Sequence, residues 1–325
     1  MNTRNSIWLA AGVALLLCAQ GLRADDLLGG SSGGGGSSAV EPGKGSVPVT
    51  GGGESRVKVS YEADADVSYV GDATTNFGRG SYGRLSEQDT NGRFVIAPRI
   101  DDGPIYRFGM GYQRFSFGLG KAAPLPNTLQ STNAIVGMDF SLFNSWLMRV
   151  EAYPGFYNDG HGANWSSFDV PFIFGGSYIQ SAEVQWVVGI GVDVNRRWAV
   201  LPDVGVRWNF ATQWTLDAVL PSPRLEYECS KDVTLYAGGD FQDGTYRVSR
   251  GVGTALGKAK LIQGVVEYDE VRVGGGLSWK ATKALTLELE TGYLPYRLFD
   301  YARAGEHYEN KNGAPYGQIS LGGRF

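Results

Sequence analysis

The sequence predicts an all-β fold, a single closed antiparallel transmembrane β-barrel of about 14 strands, with about 12 as the alternative count. Three observations predict it: long segments in which apolar and polar residues alternate, connections that alternate between long and short, and aromatic residues beside the short connections. Alternation arises because successive side chains of a strand point to opposite faces. An even strand number, with short turns at one end and long loops at the other, is typical of bacterial outer-membrane barrels.

The amino terminus has the pattern of a secretory signal peptide over residues 1–24. Arg4 supplies a positive charge, Ile7–Cys18 is an apolar core, and Ala24 is a small residue at the expected cleavage position. The core is shorter than the ~20 residues that a transmembrane helix needs. We therefore expect export, and the barrel pattern places the mature protein in the cell outer membrane.

A low-complexity segment follows over residues 25–55, including the glycine run Gly33–Gly36. Such a segment cannot bury enough apolar surface to offset its ordering entropy. It is expected to be a disordered periplasmic leader, and the barrel is expected over 56–325.

Regular alternation begins at Val57. Apolar residues from Val57 to Tyr69 occupy every second position, between polar residues from Lys58 to Ser68. Globular strands usually have ~5–6 residues, whereas a tilted membrane-spanning strand needs ~9–11. The first strand therefore favours a membrane barrel.

The alternation recurs to the carboxy terminus, and the weak strands around Pro221 decide between the two counts. If those strands are not separate, the lower count applies. Further strands are predicted over 93–100, 105–117, 132–141, 146–157, 169–178, 182–193, 198–210, 214–220, 224–229, 233–241, 265–279, 285–294 and 314–325. The long connections, predicted to be extracellular loops, are 71–92, 118–131, 158–168, 242–264 and 295–313.

The last strand, Ala314–Phe325, carries Ile319, Leu321 and Phe325 on its apolar face. A strand of this pattern with a terminal aromatic residue resembles the closing strand of Gram-negative outer-membrane β-barrels. The resemblance implies that these three residues form the signal read by the barrel assembly machinery. It also implies that outer-membrane lipid surrounds the protein. Aromatic residues at the same rim predict an interfacial belt, and they are Phe140, Trp146, Phe210, Trp214, Trp279 and Phe325.

Three short motifs resemble a family of outer-membrane β-barrels whose function is unassigned. They are Pro295–Tyr301 (P-Y-R-L-F-D-Y), Val170-Pro171 and Leu201-Pro202. The resemblance covers about 60–325 and implies the fold and the location, not an activity.

If the apolar residues face lipid, their polar neighbours face the lumen, where acids outnumber bases. These charges either pair across strands and stiffen the wall, or give an open lumen a weak preference for cations. Inward glycines fit either a wide lumen or space for a plug. The lumen-facing candidates are Glu62, Asp64, Asp66, Arg107, Arg149, Glu151, Glu183, Asp203, Arg207, Arg272, Glu288 and Glu290.

The sequence offers little for catalysis. Its two histidines, His161 and His307, both lie in predicted loops, and no cluster has metal-ligand spacing. We expect no catalytic, cofactor-binding or metal-binding residues and no cofactor. The net charge of -4 is too small to indicate nucleic acid as a partner.

Two functions lead, ahead of an enzyme. The favoured one is a pore or channel for passive uptake of small polar solutes, weakly cation-preferring, since a barrel of this size can enclose a path. The alternative is a structural or surface-binding barrel that acts through its long extracellular loops. Its expected contact residues are Tyr82, Arg84, Arg297, Phe299 and Tyr301.

Overall fold

The computed structural model describes residues 57–77, 80–119, 125–143, 145–255 and 259–325. The expected signal peptide and leader lie outside these residues. Within them, seventeen strands form one sheet whose first and last strands pair, so the sheet is closed. The strands are β1 (Val57–Phe77), β2 (Gly80–Ile100), β3 (Ile105–Leu119), β4 (Thr128–Leu142), β5 (Trp146–Ala152), β6 (Gly155–Asn158), β7 (Phe168–Asp169), β8 (Phe172–Ile179), β9 (Val184–Val192), β10 (Val200–Ala211), β11 (Trp214–Asp217), β12 (Arg224–Ser230), β13 (Val233–Arg247), β14 (Val265–Lys280), β15 (Leu285–Tyr301), β16 (Glu306–Asn310) and β17 (Ala314–Arg324).

These segments make a barrel wall of fourteen antiparallel strands. The number is smaller than seventeen because β5 and β6 follow one another in one position of the wall, as do β7 and β8, and β16 and β17. The closed antiparallel barrel is confirmed. The lower count is wrong, because β11 and β12 are separate strands that pair with each other.

Helical segments lie only in the connections at the extracellular end of the described chain. One α-helix, α1, spans Arg250–Ala255, and short 3₁₀ turns span Trp165–Ser167, Ala259–Leu261 and Ala302–Ala304. Of the helices in the described ranges, none has the length and apolar character needed to cross a membrane.

The outer wall carries an apolar band. Val67, Val188, Val204, Leu289 and Ile319 are each about half exposed on it, with values of 48, 43, 58, 48 and 56%. An exposed apolar surface that extends around the wall requires a nonpolar surrounding. Closure also leaves no strand edge unpaired in lipid. The structure has the architecture of a membrane-spanning barrel.

The predicted extracellular loops are wrong in extent, because strands continue into them. β1 and β2 run on through most of 71–92, and β13 and β15 continue to Arg247 and Tyr301. The alternation persists there but is inverted. Leu85 faces inward and is buried, whereas Arg84 faces outward and is exposed. A search for apolar residues on the lipid-facing side cannot recognise a strand whose apolar side faces inward.

The wall is uneven beside β11 and β12, which are much shorter than β13. Residues 218–223, between the two short strands, complete the wall without being a strand. The backbone N–H groups of Gly239 and Phe241 donate to the carbonyls of Pro223 and Pro221, at 3.0 and 3.1 Å. Val219 is fully buried, and a Cβ on the inward-facing Gly205 would collide with it. This segment therefore turns towards the lumen.

Closure joins β1 to β17 over nine residue pairs, from Glu62 opposite Arg324 to Val70 opposite Tyr316. The terminal residue continues the ladder. The Phe325 N–H donates to the Tyr61 carbonyl at 3.0 Å, and the Tyr61 N–H donates to the Phe325 carbonyl at 2.9 Å. The Phe325 ring is exposed outside this ladder, as are the side chains of Ile319 and Leu321.

Phe325→Ala should lower the yield of inserted barrel while leaving the folded molecules as stable as wild type. The backbone bonds to Tyr61 do not need the ring, so the ring is free to act as an assembly signal. Insertion is measured as the folded fraction in outer membranes, and stability by urea unfolding. Phe210→Ala, at an exposed aromatic residue of the same rim, is the matched control. Equal yields of the two variants would contradict the proposed signal.

Candidate functional site

The inner wall carries three charged networks, of which the first, the lower network, joins β1 to β5. Arg107 lies at its centre, 2.7 Å from Glu62, 3.0 Å from Glu151 and 3.6 Å from Asp139. Arg149 pairs with Asp139 at 2.6 Å. Arg107 is 2% exposed and Glu151 is fully buried. Buried charges are tolerated only when paired and hydrogen-bonded, and this network supplies both.

The upper network lies nearer the extracellular end, between β2, β14 and β15. Arg272 pairs with Glu270 at 2.6 Å and with Glu87 at 3.1 Å. Arg297 pairs with Glu87 at 2.6 Å. The Tyr268 hydroxyl donates to Glu87 and Glu270. Since β2 and β14 are not neighbours in the sheet, these bonds cross the lumen.

A third network lies on β12, β13, β15 and β17. Arg224 is 3.6 Å from Glu288 and 3.7 Å from Glu290, and its guanidinium lies 4.3 Å from the ring centre of Tyr236. The hydroxyls of Tyr236 and Tyr316 both donate to Glu290. Carboxylates in this network are thus shared between guanidinium and phenol donors.

An aromatic cap fills the lumen above the upper network. Ring centres of Phe117 and Phe299 are 5.1 Å apart, and those of Phe115 and Tyr268 are 4.8 Å apart. β3 and β15 are separated in the sheet by β2, β1 and β17, so the contacts reach across part of the lumen. The cap comprises Leu85, Phe115, Phe117, Leu125, Leu129, Tyr157, Tyr246, Val248, Leu261, Val266, Tyr268, Phe299, Tyr301 and Tyr308.

The cap corrects the expected surface contacts. Arg297, Phe299 and Tyr301 are each 1% exposed, so they cannot bind an extracellular partner in this conformation. Arg84 is exposed and lies 3.9 Å from Asp72. The side chain of Tyr82 lies outside the described residues.

A cavity of about 70 Å³ lies against the inner faces of β2, β3 and β4. Tyr246 reaches it from the opposite wall. Its lining carries amide, hydroxyl and guanidinium groups, from Asn91, Arg93, Gln113, Ser131, Asn133 and Tyr153. The lumen below the cap therefore contains polar space.

The other lumen candidates have different environments. The Asp66 carboxylate accepts from the Asn91 amide at 3.2 Å, and Arg207 lies 4.0 Å from Asp217. Asp64 lies opposite Gly322 in the backbone ladder between β1 and β17. Asp203 is buried, at 9% exposure. Glu183 lies in a turn below the wall, is exposed, and accepts from Ser181 at 2.8 Å, so it does not line the lumen.

Sequence reasoning missed Glu87, Asp89 and Arg93. The first two lie in the predicted loop 71–92, and Arg93 is the first residue of the strand predicted after it. The spacing of Leu85, Glu87 and Asp89 was the available signal, since alternate residues of a strand share a face.

Outside the lumen, Arg196 joins the extracellular loop 193–199 to the outer face of β13 and β14. It is 2.6 Å from Asp243 and 3.7 Å from Asp193. The Arg197 N–H donates to Glu267 at 3.2 Å. The lipid-facing apolar side chains of β13 and β14 end at Phe241 and Val271, one position before Asp243 and Asp269, so this contact lies beyond the membrane span. Asp269, opposite Asp243 in the ladder, adds a further acid.

Burial raises the pKa of Asp269 well above its ordinary value, and the neighbouring Glu267 adds to the shift. Burial also raises the pKa of Glu267, with Asp243 and Asp300 contributing. Acids thus outnumber the guanidinium groups at this contact.

Comparison with known proteins identifies no family for this chain. No family model and no curated protein matches the chain. An outer-membrane channel from Pseudomonas putida F1 is 11% identical, with a TM-score of 0.45 over 86% of this chain and 100% of that chain. A mutant of the TodX monoaromatic hydrocarbon channel is 11% identical, with a TM-score of 0.35 over 82% and 90%. OprB from Pseudomonas putida is 7% identical, with a TM-score of 0.32 over 83% and 94%. We draw no functional conclusion from similarity at this level.

Arg272→Met should destabilise the barrel by about 3–5 kcal/mol, because it leaves the two buried carboxylates Glu87 and Glu270 with only Arg297 as a charged partner. Urea unfolding in lipid vesicles measures the change. Arg84→Met removes the exposed pair with Asp72 and should cost less than about 1 kcal/mol. Adding Glu270→Gln to Arg272→Met should recover part of the loss. If Arg272→Met and Arg84→Met lowered the free energy of unfolding by similar amounts, the stabilising role of the upper network would be contradicted.

Docking of loop 193–199 should weaken as pH rises. A carboxyl whose pKa is raised by folding contributes stability that is fully present below its ordinary pKa of about 4 and is lost as pH rises through the raised value. Hydrogen-exchange protection factors of this loop should therefore fall with pH. Asp269→Asn should flatten that fall, whereas Asp102→Asn, in an exposed turn, should not. If protection of the loop in Asp269→Asn depended on pH as it does in wild type, titration of Asp269 would be excluded as the cause.

Proposed function

We propose that this chain is an outer-membrane channel that admits small polar solutes passively and prefers cations. The observation that carries the proposal is the inner wall of the described strands. Charged networks lie beside polar space, and a distinct aromatic cap closes the extracellular end. A barrel held together purely for structure has no need of buried charge, because well-packed apolar residues are usually at least as stabilising.

The outward band supports the membrane location. Exposed apolar side chains alternate with inward polar ones along most of β1 and β17, as expected of strands between lipid and an aqueous lumen. Rim aromatics also gather at one end. The rings of Phe210 and Trp214 stack at 6.4 Å, and those of Trp146 and Tyr178 lie 5.2 Å apart.

The cation preference rests on acids that keep unused acceptors. Glu87 and Glu290 are shared among several donors, whereas Asp89 and Asp203 each retain a carboxylate oxygen without a hydrogen-bond partner. Both side chains face inward by ladder register. Carboxylates of this kind lower the energy of a cation in the lumen and raise that of an anion.

The aromatic cap makes this conformation a closed one, and passage requires the cap to separate. Separation costs apolar contacts and, where Tyr157 meets Tyr246, the backbone pairing of Asn158 with Arg247, but it breaks no covalent bond. The second candidate, a surface-binding barrel, is favoured by the same cap, because it gives the extracellular end a packed surface. Conductance distinguishes the two.

Planar-bilayer recording tests the channel. Phe117→Ala with Phe299→Ala removes the ring contact between β3 and β15 and should increase the conductance or the open time. Phe108→Ala, on the lipid-facing side and 49% exposed, is the control and should leave both unchanged. In a potassium chloride gradient the reversal potential should favour potassium.

Two results would overturn the proposal. Absence of conductance steps from folded wild type and from the cap variant would favour the surface-binding barrel. A reversal potential that favours chloride would exclude the cation preference.

A further inference from the structure

One inward carboxylate, Asp203, belongs to none of the three charged networks. Asp203 is 9% exposed, its Oδ1 atom has no hydrogen-bond partner, and no ion pair includes it among the described residues. Its one nearby donor is the backbone N–H of Val204. Other buried acids in the wall, such as Glu151, are held by guanidinium groups. Burying a carboxylate oxygen without a hydrogen-bond partner costs folding free energy. A bound ligand that donates to Oδ1 would offset that cost.

The wall beside Asp203 is built to leave space. Gly189 lies directly opposite Asp203 on β9, with Gly191 diagonal to it and Gly175 beyond on β8. A Cβ added at Gly191 would meet no atom within 4 Å. Diagonal neighbours in a ladder lie ~7–8 Å apart, so this space is within reach of a small molecule bound to Asp203.

The remaining surroundings are apolar. Ile173 and Leu201 flank Gly191 in the ladder, Val187 lies opposite Gly205, and Val219 packs against Gly205 from the infolded segment 218–223. All four side chains are buried. A ligand here would have its charge at Asp203 and apolar groups against these neighbours.

We propose that Asp203 and the glycines around it bind the ammonium group of a small organic cation. A single carboxylate balances one positive charge, whereas Ca²⁺ takes 6–8 oxygen ligands. An ammonium group donates the hydrogen bonds that Oδ1 lacks, and charge-assisted bonds of this kind are the strong ones. A short alkyl chain suits the valine and leucine surroundings better than the hydration shell of an alkali ion.

This site adds a class of solute to the proposed channel. Passage of that solute through the barrel rests on the proposed function, whereas binding at Asp203 does not. Propylammonium is the probe, because it joins one ammonium group to a short apolar chain. It should reduce the potassium current of the wild-type channel in a saturable way. Asp203→Asn should weaken the apparent affinity by about tenfold or more, as expected for a lost charge-assisted hydrogen bond.

Two further variants separate charge from shape. Gly191→Val keeps the carboxylate but fills the space beside it, and should also weaken the block. Glu226→Gln removes a half-buried inward carboxylate near the periplasmic end, outside this group of glycines. It should leave the block unchanged.

Saturation-transfer NMR of propylammonium with folded barrel in detergent micelles gives a readout that does not need conductance. Binding that disappears in Asp203→Asn, from a barrel that never conducts, would support the site and refute the channel. Block or binding that is the same in wild type, Asp203→Asn and Gly191→Val would overturn the site and leave the channel standing. Urea unfolding confirms that each variant is folded.

Discussion

Pairing of β1 with β17 is the interaction on which the rest of the molecule depends. In lipid, each backbone N–H and C=O must be paired within the protein, and only closure achieves this for a sheet. Once the sheet is closed, every strand has one face towards lipid and one towards the lumen. Networks that join β2 to β14 across the lumen exist because closure brings strands that are distant in sequence into one enclosed volume.

Instead of the apolar core of a soluble protein, the interior has two kinds of packing, ion pairs and aromatic contacts, at different heights along the barrel. Near the periplasmic side the wall is held by charge, with Arg107 shared between Glu62 and Glu151. Near the extracellular side it is held by rings, such as Phe117 against Phe299. Ion pairs tolerate water beside them, whereas the ring contacts exclude it. The change from one to the other marks where a lumen can be wet and where it is closed.

The sequence was sufficient for the barrel and its membrane-spanning strands, because lipid imposes a period of two on every spanning strand. It failed where that constraint ends. Beyond the membrane the apolar face turns inward, and Glu87 was therefore assigned to a loop. Ion pairs such as Arg297 with Glu87 depend on the curvature of the closed sheet, which no local pattern contains. That Oδ1 of Asp203 has no hydrogen-bond partner can likewise be recognised only when its neighbours on the adjacent strands are known.

The short strands β11 and β12 leave a step in the wall, and its composition has a consequence for assembly. An exposed strand edge is a template on which another chain can pair. The segment beside this step carries Pro221 and Pro223, whose carbonyls accept from β13 but which have no N–H to offer a newcomer. Pro202, on the facing part of β10, lacks the same donor. The interrupted wall is thus poorly suited to recruiting a strand from a second barrel or from an incoming chain during insertion.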